Sequence, residues 1–408
     1  MHSNDQYLVY KLRHSGTSNE RMSLEIAIGL ASLSERKLIL YGKEGSSFGI
    51  RPSRGGRYKM ERHGWLENGK NLPDYRPSLV TDLYEKLPRE ISIGSDGGSP
   101  PESWFFGTGH QINVFNHPIR DYCLCRQSTQ PPNSLPSIAE GRGKSFVDGR
   151  LLLHLPSEPI WRMEGSNLSY YSRFFYDLSG TVPAAVQGMK LCAWMHSFAE
   201  SVVSRIGLFN GCHIRLTDFL QFLPQSSDYN KVIADVIAES LPRDQLLVIT
   251  TDEDPSSCFF DPLKQRFPKL LFLDEYLRSD CSELWTSVPY LNESVLAVIC
   301  QLILEKSSIF MGTIGSTFTG LIHRGWLHRK LADGASLSDS HFRFTHCGIA
   351  GAAGSIPGYF EEGQFVESQK GLFSWNRISI KSATKDQLGW YREWPECALG
   401  LNYAHFRQ

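Results

Sequence analysis

The stretch "HIRLTD" at 213–218 sets a histidine, an arginine and an aspartate within six residues. It follows the apolar run "LFNGC" at 208–212, which reads as a buried strand. Side chains alternate across a strand, so His213 and Arg215 share one face while Ile214 and Leu216 share the other. An arginine is always charged and presents a planar fork of donors that matches phosphate geometry. At a strand end facing a cleft, it can offset the charge that builds on a departing diphosphate. The ordinary reading of the same residues is a solvated strand edge with Arg215 paired to Asp218.

Three other stretches carry residue types suited to the same chemistry. "FMGTIGSTFTGLI" at 310–322 runs from a buried strand through small residues, including Gly312, Gly315, Ser316 and Thr317, into an apolar helix. Backbone N–H groups at such a helix start, with two hydroxyls, form an anion cradle. The pattern lacks the lysine of a Walker A loop and is not GxGxxG, and a capped helix packed through glycines is its ordinary reading. "RHSGTSNER" at 13–21 is a turn holding Asn19, Glu20 and Arg21, ordinarily an N-cap by Ser18 or Asn19. "TTDED" at 250–254 clusters carboxylates after a strand, which suits Mg²⁺ but more commonly caps the next helix.

The elements that must position these groups alternate. "YLVYKL" (7–12), an apolar-periodic helix over 18–35 and "KLILYG" (37–42) form a βαβ unit. Positions 45–160 give a weaker signal, with Gly-, Pro- and Ser-rich segments at 94–109 and 127–144 that read as long loops or lids. An amphipathic helix is expected over 181–207, starting near Thr181 or Pro183 and closed by Gly207. From 208 to 326, strands alternate with helices at 229–241 and 293–307. The expected architecture is α/β, with an acceptor-side domain over 1–205, a Rossmann-like domain over 206–370, and an aromatic tail over 371–408 packing back on the first. Ligands in such folds sit outside the carboxyl ends of the strands.

Composition bounds the function class. The chain has 408 residues, 41% hydrophobic and 21% charged, with a formal net charge of -1. No overall basic field points to nucleic acid or an anionic membrane. The longest apolar run, "VLAVICQLIL" at 295–304, is too short to span a bilayer. The start lacks the pattern of a secretory signal. Nine cysteines without a regular interval argue against a disulfide framework. Reduced thiols in a cytoplasmic protein are the expectation.

Together the four stretches resemble the GDP-fucose-dependent fucosyltransferases, especially the protein O-fucosyltransferase-like group. "HIRLTDF" is similar to that group's His-x-Arg-x-x-Asp strand end, and "FMGTIGSTFTGLIHR" to its late strand, Gly and Ser/Thr-Phe helix start. "TSNERMSLEIAIGLASLSERKLIL" resembles its opening turn, and "ITTDED" its Thr-Asp-Glu strand. The resemblance covers roughly 7–42 and 189–326. It implies a GT-B fold, two Rossmann-like doubly wound halves facing a cleft. It also implies metal-independent, inverting transfer of fucose, or a related deoxyhexose, from a nucleotide-diphosphate donor such as GDP-fucose. The acceptor would be a hydroxyl of a peptide, a glycan or a small molecule.

On that resemblance Arg215 is the catalytic residue, set against the β-phosphate. His213 and Asp218 support the nucleotide and the arginine. Ser316, Thr317 and Phe318 contact the diphosphate, and Asn19 approaches it from the first half. No metal and no cofactor are implied. Three departures stand out. Leu216 follows Arg215 where α1,6-type relatives carry a second arginine. Ser308 occupies the place of an acid that reads guanine in several protein O-fucosyltransferases. Gly16 stands where some relatives carry a catalytic glutamate, with Glu20 nearby but out of register, so no general base is assigned. These departures also admit a lapsed enzyme that binds a nucleotide sugar or carbohydrate without turning it over.

Overall fold

The computed structural model describes residues 7–11, 16–33, 36–41, 83–86, 91–93, 111–112, 144–147, 150–153, 160–164, 189–216, 229–313, 316–334, 343–344, 358–361 and 364–367. The expected tail over 371–408 lies outside the described residues.

The first half opens with strand β1 (Tyr7–Lys11), helix α1 (Thr17–Leu33) and strand β2 (Lys37–Tyr41). Short strands follow: β3 (Tyr84–Lys86), β4 (Ile91–Ile93), β5 (Gln111–Ile112), β6 (Lys144–Val147), β7 (Arg150–Leu153), β8 (Ile160–Glu164) and β9 (Lys190–Leu191). β1 lies between β2 and β8 and is parallel to both, in a sheet of order β4-β2-β1-β8-β5. Leu8 and Tyr10, two apart on β1, are both fully buried, as the two-residue period of a strand dictates.

Helix α2 (Ala193–Ile206) leads into the second half. There strand β10 (Phe209–Ile214), helix α3 (Tyr229–Ser240), strand β11 (Leu246–Thr251), helix α4 (Asp261–Arg266), strand β12 (Leu270–Phe272) and helix α5 (Leu273–Ser279) succeed one another. Helix α6 (Glu293–Leu304), strand β13 (Phe310–Gly312), helix α7 (Thr317–Ala332) and strand β14 (Arg343–Phe344) follow. A separate hairpin pairs β15 (Gly358–Glu361) with β16 (Gln364–Glu367). The second sheet runs β12-β11-β10-β13-β14, all parallel. In chain order this is third, second, first, fourth, fifth, the doubly wound arrangement whose crevice opens where the order reverses. The reversal falls between β10 and β13. All of β10 is buried, because a central parallel strand is covered by helices on both faces.

Two expectations need correcting. The helix expected from 181 starts at Ala193, because Lys190 and Leu191 pair with β3 and Cys192 N–H donates to Leu83 O at 2.9 Å. Strand pairing there overrides the apolar periodicity. Its close at Gly207 stands: that residue has φ +76° and its N–H donates to Val203 O. Helix α1 begins at Thr17, with Glu20 N–H donating to Gly16 O, so Ser18 and Asn19 lie inside its first turn rather than at the cap.

One buried apolar cluster runs from Leu8, Tyr10 and Leu24 to Phe198, Trp285, Ile299, Phe310 and Trp326, and so spans both halves. Its polar seam lies along α1. Thr17 Oγ1 meets Ser294 Oγ at 2.9 Å, Gln301 Nε2 donates to Ser18 Oγ at 2.9 Å, and Arg21 Nη1 donates to Gln301 Oε1 at 2.6 Å. Further along α1, Arg324 of α7 grips Glu25 through two bonds of 2.5 and 2.7 Å.

Candidate functional site

The carboxyl ends of β10 and β13 are tied together by Thr313. Its N–H donates to His213 O at 3.0 Å, and its hydroxyl donates to the same carbonyl at 3.3 Å. That hydroxyl in turn accepts from Arg215 N–H at 2.8 Å. The backbone of Arg215 is thereby fixed at the switch point of the sheet, where a ligand crevice is expected. Its side chain is set by Asp252 at the end of the neighbouring strand β11. Asp252 Oδ2 lies 3.2 Å from Arg215 Nε, while Oδ1 accepts Leu216 N–H at 2.7 Å. The carboxylate is nearly covered, at 7% exposure, whereas the guanidinium side chain keeps 28%. A buried acid thus orients a cation that still reaches the surface, with donors of the type that match an anionic group.

Helix α7 starts at the same edge. Ser316 N–H donates to Thr313 O at 3.4 Å, and Gly320 N–H to Ser316 O at 3.0 Å, so Ser316 closes the first turn. Ser316 and Thr317 are buried and Phe318 is partly buried. Their neighbour Thr319, fully buried, holds His213: Nδ1 and Oγ1 stand 2.7 Å apart, and the imidazole lies against the Phe318 ring with centroids 4.7 Å apart. His213 is only 4% exposed, so it anchors α7 to β10. Gly312 makes this approach possible. A Cβ there would overlap the Thr319 side chain. The amino-terminal end of α7 brings the partial positive charge of a helix start beside Arg215.

The remaining sequence candidates fall as follows. Asn19 stands in the first turn of α1, its carboxamide oxygen buried and without a hydrogen-bond partner among the described residues. Asp218 lies outside the described residues. Among the described residues, a carboxylate that pairs with Arg215 is Asp252, from the cluster expected to cap a helix. Asp254 does close a turn there, accepting Ser256 N–H at 2.8 Å and Ser256 Oγ at 2.7 Å. Glu20 is fully buried within reach of the Tyr10 hydroxyl at 3.5 Å, inside the core. Burial and this acid together hold the Tyr10 hydroxyl well above its usual range. Ser308 sits at the amino edge of the sheet, its N–H donating to Phe209 O at 2.8 Å. The position that holds a guanine-reading acid in the resemblance thus lies at the sheet edge opposite Arg215.

Sequence reasoning missed Asp252 and Thr313. The signal for Asp252 is the strand register: Ile214 pairs with Thr251, which brings Arg215 and Asp252 level. Among the described residues no group of three or more His, Cys, Asp or Glu could hold a metal ion, and no helix is long and apolar enough to cross a membrane. Among the described residues, Cys192, Cys212, Cys258, Cys281 and Cys300 form no disulfide.

No family model matches this sequence, and no curated protein does either. Solved structures similar to the chain include NodZ, an α-1,6-fucosyltransferase from Bradyrhizobium, soaked with GDP-fucose. It is 12% identical over 78% of this chain and 92% of that one, with a TM-score of 0.42. A variant of FUT1 from Arabidopsis thaliana in complex with GDP is 10% identical over 79% of this chain and 69% of its own, at 0.38. POFUT1 in complex with GDP-fucose is 12% identical over 83% and 98%, at 0.36. These similarities name the same group of enzymes that the motifs resemble. At such identities and TM-scores they carry none of the functional reading.

Proposed function

We propose that the chain is a glycosyltransferase that moves fucose, or a related deoxyhexose, from a nucleotide-diphosphate donor, GDP-fucose, to a hydroxyl of a peptide, glycan or small molecule. The observation that carries the proposal is Arg215, half-open at the switch point of a doubly wound sheet and oriented by Asp252. In the reaction the acceptor oxygen attacks the anomeric carbon from the face opposite the diphosphate, which inverts its configuration. The bond from that carbon to the β-phosphate oxygen breaks, and its electron pair leaves with the diphosphate. The acceptor proton passes to the phosphate or to water.

Arg215 offsets the charge that develops on the leaving group, with the first turn of α7 as a second positive end. Asn19, in the first turn of α1, offers its side-chain N–H groups from the first half. His213, Ser316, Thr317 and Phe318 hold the helix start in place, and no metal is assigned a role. The test is release of GDP from GDP-fucose, with and without acceptors, alongside thermal shifts with GDP, UDP and dTDP. Arg215→Ala is expected to lower kcat by about 10²–10³-fold, as loss of one oxyanion-stabilising group does. Normal turnover by that variant would overturn the proposal.

A second reading, a lapsed enzyme that binds a nucleotide sugar, is favoured by the burial of Glu20 and the bare Gly16, which leave no acid assigned as base. That reading predicts stabilisation by GDP-fucose without release of GDP.

A further inference from the structure

Away from the strand-end site, a cavity of about 610 Å³ opens between the halves, walled by α1, β9, the start of α2 and the middle of α7. Arg324 lies seven residues past Thr317, so the cavity is about 10 Å down α7 from the end that faces Arg215. Arg21, Arg324, Lys190 and His196 line it, and Glu25 is the one carboxylate that does so among the described residues. That carboxylate is already held by both terminal nitrogens of Arg324.

Arg21 is the unusual member. It is only 9% exposed, yet its hydrogen bonds among the described residues go to neutral groups, Tyr84 Oη at 3.2 Å and Gln301 Oε1 at 2.6 Å. Buried cations ordinarily meet a carboxylate or another anion, because desolvating an unpaired charge is costly. Glu305 is close enough to feel Arg21, but burial pushes its carboxyl up to about 7, so near neutrality it offsets only part of that charge. Ala193, His196 and Ser197 of α2 line the same cavity, so the partial positive charge of a helix start lies at its wall. Met189 and Leu191 give the wall an apolar strip.

We infer that this cavity is a second binding site, which takes a small molecule carrying a carboxylate or phosphate group against Arg21 and Lys190. The inference does not rest on the fucosyl-transfer reading. The probes are glucuronate for the carboxylate and inorganic phosphate for the phosphate, each titrated into the full chain at constant ionic strength. The titrations use an Arg215→Ala background, so that anions at the strand-end site do not contribute.

The expected result is a saturable rise in Tm with one or both probes. It should be lost in Arg21→Gln and in Lys190→Glu, while the response of these two substitutions to GDP, made in the otherwise native chain, stays intact. Lys190 is exposed, so its variant keeps the test open should Arg21→Gln fail to fold. A response to glucuronate alone or phosphate alone assigns the head group. No saturable rise with either probe, or a rise that survives Lys190→Glu, overturns the inference. Failure of GDP to bind the native chain would instead count against the donor reading and leave this one standing.

Discussion

At the scale of single residues, the chemistry depends on how Arg215 is aimed. Asp252 spends one oxygen on the Leu216 amide and the other on the Arg215 Nε edge, so one carboxylate fixes both backbone and guanidinium. In Asp252→Asn an amide oxygen can still accept from Leu216, but the charge that orients the guanidinium is gone. Hydrogen bonds to charged groups contribute roughly 1.5–3 kcal/mol. If that orientation matters chiefly when charge develops on the leaving group, kcat should fall by about 10- to 100-fold with KM little changed. Steady-state kinetics of GDP release checks this, and an unchanged kcat would show that Arg215 does not need its partner. The residue types at 213–218 and 316–318 point to this edge of the sheet. Spacing alone reads equally as a solvated strand end and a capped helix, and only the resemblance gives Arg215 a chemical role. Asp252 and Thr313 were not readable, because their meaning comes from the register of a neighbouring strand.

At the scale of elements, helix α7 can present its first turn at the crevice only because Gly312 lets it approach β13. Gly312→Ala would drive Cβ into Thr319 and strain the Thr319–His213 bond. Overpacking of this kind costs about 1–3 kcal/mol. Denaturant unfolding should show that loss, and weaker GDP binding should accompany it as the helix start shifts outward. A destabilised variant with unchanged GDP affinity would separate α7 from the site.

At the other end of the same contact, Glu305 closes α6 against α7, where a Cβ on Gly325 would overlap its carboxylate. Burial raises this carboxyl from an ordinary 4.5 to about 7, against the pull of Arg21, Arg324, Lys306 and Arg329. A raised folded-state value means its stabilising contribution is complete below about 4.5 and is lost as pH climbs through about 7. The stability of wild type relative to Glu305→Gln should therefore decline across that window. A flat difference curve would mean the carboxyl is charged throughout. These elements were legible from 208 to 332 because central parallel strands read as unbroken apolar runs between periodic helices. The strands within 84–164 are two to five residues long and lie among Gly- and Pro-rich segments, so periodicity had too little length to register them.

At the scale of the whole molecule, the question is whether the halves behave as one body. The shared apolar cluster and the α1 seam argue that they do. The seam's strongest member is Arg324 with Glu25, whose side chain is only 3% exposed. Removing the arginine alone takes two charged donors from a carboxylate that is only 3% exposed, and breaking a buried pair from one side costs about 3–5 kcal/mol. Arg324→Ala should lower Tm sharply, whereas the double variant Glu25→Gln with Arg324→Gln should recover much of the loss, because no bare charge remains buried. If the seam couples the halves, calorimetry of the wild type shows one cooperative transition, and weakening the seam splits or broadens it. Two well-separated transitions in the wild type would mean that the halves unfold independently. The α1 contacts would then align two separate bodies about the crevice rather than join them into one.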